Sequence, residues 1–158
     1  MPKITPFLWY ETQAEEAANF YVSIFPNSKI IKVSHYSDAG PGRNETVMVV
    51  QFELDGKPFL ALNGGPHYKF TEAVSFTIDC KNQQEVDHYW QKLTADGGQQ
   101  SMCGWLKDKY GLSWQVTPTI LGELISDPDK EKAKRAMEAM LKMKKIDIAT
   151  IQRAKDGK

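Results

Sequence analysis

"AVSFTIDCKNQQEVDHYWQKL", residues 73–93, restarts a pattern that the chain has already run once. Its opening residues alternate polar and apolar side chains, as a strand with one buried face does. A helix follows, with Asn82 placed to cap it, Glu85 three residues on, and Val86, Tyr89, Trp90 and Leu93 on one face. Gly97 and Gly98 stop it. Towards the start of the chain, "KITPFLWY", residues 3–10, also reads as a strand. Thr12 and Glu15 then form a capping box for a helix whose apolar face is Ala14, Ala17, Ala18, Tyr21, Ile24 and Phe25, ended by Pro26 and Asn27. Thr12 and Asn82 lie 70 residues apart, and the aromatic pairs Phe20-Tyr21 and Tyr89-Trp90 recur at nearly the same offset.

The elements after each helix extend the parallel. "SKIIKVSHY", "ETVMVVQFEL" and "KPFLALN" are strands separated by the turn-rich "SDAGPGRN" and by the hairpin signal "DG". In the second copy, "QQSMCGWLKD" and "GLSWQVTP" are the later strands, joined by the turn "KYG". The order predicts two βαβββ modules, residues 1–70 and 71–126, sharing one core. A C-terminal helical extension, residues 127–158, begins at Asp127-Pro128. Its stripe is Ala133, Ala136, Met137, Met140 and Leu141, and "KKIDIATIQRA" follows as a short apolar appendage. That Met-rich helix is either core or an interaction surface.

The 158 residues are 41% hydrophobic, enough for one sizeable core, and Lys plus Arg balance Asp plus Glu at 20 each. Zero net charge argues against a nucleic-acid partner. No apolar run suggests a membrane span or an export signal, so a cytoplasmic protein is expected. A reducing compartment keeps Cys80 and Cys103 as thiols.

The runs "ITPFLWYETQAEEAANFYVSIFPNSKI", "LNGGP", "AVSFTIDC", "EVDHYW" and "CGWLKDKYGLSWQV" with Pro118 resemble the vicinal-oxygen-chelate superfamily. Within it they are most similar to the PhnB-like branch, often labelled 3-demethylubiquinone-9 3-methyltransferase domain. The resemblance implies an α+β fold in which two βαβββ modules with curled mixed sheets surround a cavity, frequently in a homodimer.

Enzymes of the superfamily hold a divalent metal through inward-pointing His and Glu side chains. Carried over, those positions fall on or near Pro6, Ala61, Ala73 and at Gln115, none a strong metal ligand. His35, His67 and His88 show no metal-ligand spacing. No metal or other cofactor is therefore expected. The methyltransferase label implies S-adenosylmethionine, yet the glycines of "DAGPGRN" and "LNGGPHY" open no helix and make no cofactor cradle. Strand alternation places Tyr10, Asn63, Ser75, Thr77 and Thr117 on the former ligand face with Gln115, a polar, uncharged pocket for a small aromatic or oxygenated molecule. Cys103 and Trp105 join it as lining candidates. Cys103 is a weak catalytic candidate, with Lys107 near in sequence and no His beside it, while Lys107 and Asp108 flank a turn. A metal-dependent lyase or oxygenase and a methyltransferase stay open as alternatives.

Overall fold

The computed structural model describes residues 3–37 and 46–158, so the turn expected over "SDAGPGRN" lies outside the described residues from position 38 on. The chain divides into two compact units, residues 1–69 and 70–158.

The first unit runs β1 (Phe7–Tyr10), α1 (Ala14–Ile24), β2 (Lys29–His35), β3 (Val47–Leu54) and β4 (Lys57–Asn63). Its sheet has the order β1-β4-β3-β2, with β1 parallel to β4 and the other pairs antiparallel. Asp55 and Gly56 both take positive φ, 50° and 75°, the geometry that a two-residue hairpin requires. Ala14, Ala17 and Ala18 are fully buried on α1 and let the helix lie close to the sheet. Tyr21 stacks on Phe52 at 6.5 Å between centroids and Phe52 on Phe59 at 5.5 Å, so the core is an aromatic column.

One expectation fails at the start of α1. Gln13, not Thr12, holds the N-cap position, and its side chain makes no cap bond. The cap comes from another strand: the backbone N–H of Ala14 donates to Asn63 Oδ1 at 2.8 Å. Asn63 ends β4 opposite Tyr10, the last residue of β1, which sets its side chain beside the first turn of the helix.

The second unit repeats the plan with β5 (Ser75–Cys80), α2 (Gln83–Thr94), β6 (Gln99–Gln100), β7 (Trp105–Lys107) and β8 (Ser113–Pro118). Its sheet order, β5-β8-β7-β6 with β5 parallel to β8, is that of the first unit. Both sheets are open, and the α+β fold of two βαβββ modules is as the sequence implies. Here the local cap does form: Asn82 Oδ1 accepts from the N–H of Glu85 at 3.0 Å, while Glu85 Oε2 accepts from the N–H of Lys81, one residue ahead of the cap, at 2.7 Å. "QQSMCGWLKD" is two short strands rather than one, because Cys103 and Gly104 take φ of 57° and 83° and turn the chain between them.

The C-terminal segment also departs from expectation. A short helix, α3 (Leu121–Ile125), precedes residues 127–158, which hold two helices, α4 (Lys130–Leu141) and α5 (Ile148–Lys155), instead of one helix and an appendage. Asp129 caps α4 through the N–H groups of Glu131 and Lys132, and Asp127 instead accepts from the N–H of Asp129 in a turn ahead of it. Leu121, Leu124, Ala136, Ile146 and Ile151 make a small core of their own. Leu141, placed by periodicity on the apolar stripe, is 56% exposed because α4 ends there. Several of the hydrogen bonds that tie these helices to the rest of the unit use their backbone atoms. Met143 O and Lys144 O accept from the N–H groups of Cys103 and Gly104 at 2.9 and 2.8 Å. The Gln83 carboxamide donates to Ile146 O and accepts from the N–H of Ile148, each at 2.9 Å. Lys145 pairs with Asp87 at 2.8 Å, and its hydrogen bond holds that carboxyl below the ordinary range.

Candidate functional site

Each sheet has one face under its helix and one turned away, and register shows which residue goes where. In the first unit Leu8 pairs with Ala61 and Tyr10 with Asn63, and Leu8, Tyr10 and Ala61 are buried. The hydroxyls of Tyr10 and Tyr21 lie 3.2 Å apart, which fixes this as the face that meets α1. Tyr10 and Asn63 therefore share a face, as alternation requires, but it is the helix-packing face. Tyr10 is core. Asn63 caps α1 and donates from Nδ2 to Val47 O at 3.1 Å, tying the helix to β3. Asn63→Ala is expected to cost about 1–2 kcal/mol in denaturant unfolding, with Asn63→Asp keeping the cap but setting a carboxylate oxygen against Val47 O, so that it recovers only part of the loss.

The second unit keeps the expected polar face. Thr77, Gln115 and Trp105 are successive cross-strand partners, and Ser75, Ser113 and Lys107 make the adjacent row. Gln115 Nε2 donates to Ser75 Oγ at 2.9 Å. Phe76, Ile78, Trp114 and Val116 point the other way, towards α2, as their alternation with these residues demands. Thr117 continues the polar row beside Asp79. Within the second unit Ser75, Thr77, Trp105 and Gln115 are thus brought together on one face, while Cys103 lies outside it.

Cys103 sits in the left-handed turn before β7, and its Sγ lies 3.6 Å from Met140 O, facing the C-terminal helices. Lys107 turns to Glu72 instead, whose carboxyl is held below its ordinary range by the hydrogen bond from Lys107. The proposed partnership of Cys103 with Lys107 has no geometric basis here. Cys80 is fully buried, and burial together with the Glu85 and Asp79 carboxylates pushes its thiol up to about 12.

Asp108 is the residue that sequence reading undervalued. Read as a polar residue flanking a turn, it is 2% exposed. Its Oδ1 accepts from the N–H groups of Tyr110 and Leu112 at 2.8 and 3.1 Å, and Oδ2 accepts from Trp114 Nε1 at 2.8 Å. One carboxylate therefore closes the β7–β8 turn and orients the indole behind the polar face.

The glycines of "LNGGP" serve Trp9. A Cβ on Gly64 would come within 2.3 Å of the indole ring, and Gly65 O accepts from Trp9 Nε1 at 2.9 Å. No helix starts after them, so they do not fit a nucleotide cradle. Of the positions that the resemblance sets against the superfamily's metal ligands, Pro6, Ala61 and Ala73 carry no side-chain donor and Gln115 carries an amide, a poor ligand for a divalent metal. Among the described residues no three His, Cys, Asp or Glu side chains gather in a metal-holding group. His35, His67 and His88 are exposed on separate elements.

The repeated βαβββ order with parallel first and last strands defines a glyoxalase-like protein of the vicinal-oxygen-chelate superfamily. The family described as 3-demethylubiquinone-9 3-methyltransferase matches residues 2–117. The chain belongs to that family, the PhnB-like branch of the superfamily. It is 38% identical to a PhnB protein from Bacillus cereus, with a TM-score of 0.68 over 75% of this chain and 100% of that one. Protein PA1353 from Pseudomonas aeruginosa is 16% identical, with a TM-score of 0.62 over 75% of this chain and 98% of that one. The fosfomycin resistance protein FosX from Listeria monocytogenes is also 16% identical, with a TM-score of 0.56 over 77% and 94%, a likeness of fold. No functionally curated protein matches the chain. The family match stops inside β8, so α3, α4 and α5 lie beyond it. No helix among the described residues is long and apolar enough to cross a membrane.

Proposed function

We propose that the protein binds a small aromatic or oxygenated molecule on the polar face of its second sheet, without a metal or other cofactor, as a cytoplasmic homodimer. The observation that carries this reading is the row of Thr77, Gln115 and Trp105 beside Ser75. It sets an indole surface next to an amide and two hydroxyls, a combination that suits a planar ligand with oxygen substituents. The neutral amide at Gln115, where the superfamily places a metal-binding Glu, supports a binding role over metal chemistry. The family's description supports methyl transfer as the alternative.

Titration with 1,4-naphthoquinone, catechol and benzoate, followed by amide NMR shifts, tests the reading. At least one should bind, and Gln115→Ala should weaken it by about fivefold, as expected for loss of one hydrogen bond. Absence of binding by all three would sink the proposal. Binding of S-adenosylmethionine in the same assay would transfer the weight to the methyltransferase, and about one retained divalent ion per purified chain would transfer it to a metal enzyme.

A further inference from the structure

Resting on that reading of the polar face, we infer that Lys107 and Ser113 anchor the carboxylate of a small aromatic acid, and that Glu72 is an internal stand-in which this carboxylate displaces. Ser113 is 1% exposed, and its Oγ finds no hydrogen-bond partner among the described residues. A sealed hydroxyl without a partner is a standing cost to the fold, and such groups are rare enough to need a reason. Ser113 lies directly across from Lys107 in the β7–β8 ladder. Both line a cleft of about 220 Å³ whose wall includes Trp105 and whose rim carries Gln99, Ser101 and Glu72.

The cation is already engaged: Lys107 Nζ pairs with Glu72, from the segment leading into β5. The Glu72 side chain is 60% exposed and that of Lys107 is 37% exposed, and solvent-exposed pairs of this kind add little to stability. Exchange of one carboxylate for another on Lys107 is therefore nearly neutral for the cation. It becomes favourable when the incoming group also accepts from the orphaned Ser113 hydroxyl and lays an aromatic ring against Trp105. With Glu72 displaced, Lys107 offers its ammonium in the cleft that Ser113 also lines. The cleft takes a single ring and its acid group.

The experiment measures benzoate affinity by amide NMR at low salt, with benzamide as the uncharged control, in the full chain and in three variants. Glu72→Gln should tighten benzoate by about threefold to fivefold, because the competing charge is gone, and leave benzamide unchanged. Lys107→Met should weaken benzoate by about tenfold. Ser113→Ala should weaken benzoate by about fivefold while raising the melting temperature of the protein alone by about 3 °C, since the orphaned hydroxyl is removed. Benzoate binding that is indifferent to Glu72→Gln and Ser113→Ala but sensitive to Gln115→Ala would overturn the inference and leave the proposed face standing. Failure of benzoate, catechol and naphthoquinone alike would overturn both.

Discussion

Asp108→Ala should lower the stability of the protein by about 4 kcal/mol in urea unfolding, the largest effect expected of any single substitution considered. Truncation deletes a buried acceptor and strands three donors at once: the N–H groups of Tyr110 and Leu112 and the indole of Trp114. Bonds to a charged acceptor are worth about 1.5–3 kcal/mol each, and a donor left buried costs about 1–3 kcal/mol. The relief from no longer desolvating the carboxylate offsets part of that sum. Asp108→Asn separates charge from shape. Its amide nitrogen must point a donor at one of the three donors, so it should recover only part of the loss. A cost below about 1 kcal/mol for Asp108→Ala would show that the carboxylate does not hold the turn. The loss should reach the polar face as well, because Trp114 lies between Phe76 and Leu106 in the ladder.

Gly104→Ala should cost about 3 kcal/mol. Its φ of 83° alone penalises a side chain by about 1–2 kcal/mol. The added Cβ would also stand 2.8 Å from the carbonyl oxygen of Val116 and 3.2 Å from Ile146 Cγ1. The first of these neighbours is backbone in a ladder and cannot yield cheaply, so overpacking adds about 1–3 kcal/mol. Gly111→Ala is the control: it shares a left-handed φ of 88°, yet nothing lies within 4 Å of its Cβ position. It should show the conformational cost alone, about 1 kcal/mol. Equal losses at the two glycines, read from urea unfolding, would mean that the close approach at Gly104 carries no energy.

How far the sequence could be read depended on contrast between neighbours. In "SFTIDC" and "SWQVTP" polar and apolar residues alternate, so the face that holds Ser75, Thr77 and Gln115 could be told from the face that meets α2. In "FLWY" all four residues are apolar or aromatic. Alternation there says that Leu8 and Tyr10 go together without saying which pair lies under the helix, and the wrong face was expected. Asn63, expected in a pocket, does line a cleft of about 630 Å³ in the first unit with Tyr36 and Val47, but its role as a helix cap was missed for a different reason. Its partner at the start of α1 is 49 residues away, and no local pattern announces a cap supplied by another strand. Thr12, with Glu15 three residues on, offered a local solution that the chain does not use. Asp108 and Cys103 both lie in turns, where polar or small residues are expected on propensity alone. Burial of one and the left-handed backbone of the other arise only when β7, β8 and the C-terminal helices assemble. The element order itself needed none of this, since two helices at matching positions and a set of strand runs are local signals.

The attachment of α4 and α5 to the second unit is read largely by peptide groups: the carbonyls of Met143, Lys144 and Ile146 and the N–H of Ile148 make four of its contacts. Peptide groups are common to every sequence. The exposed side chain of Lys144 can therefore drift under mutation without losing these bonds, whereas Met143 and Ile148 also pack against the small helical core, and Gln83 and Gly104 on the receiving side are fixed by the bonds themselves. The dock is in this sense asymmetric in its heritable information. An unrelated helical segment whose connecting loop follows the same backbone path would find the same hydrogen-bonding groups waiting on Cys103, Gly104 and Gln83.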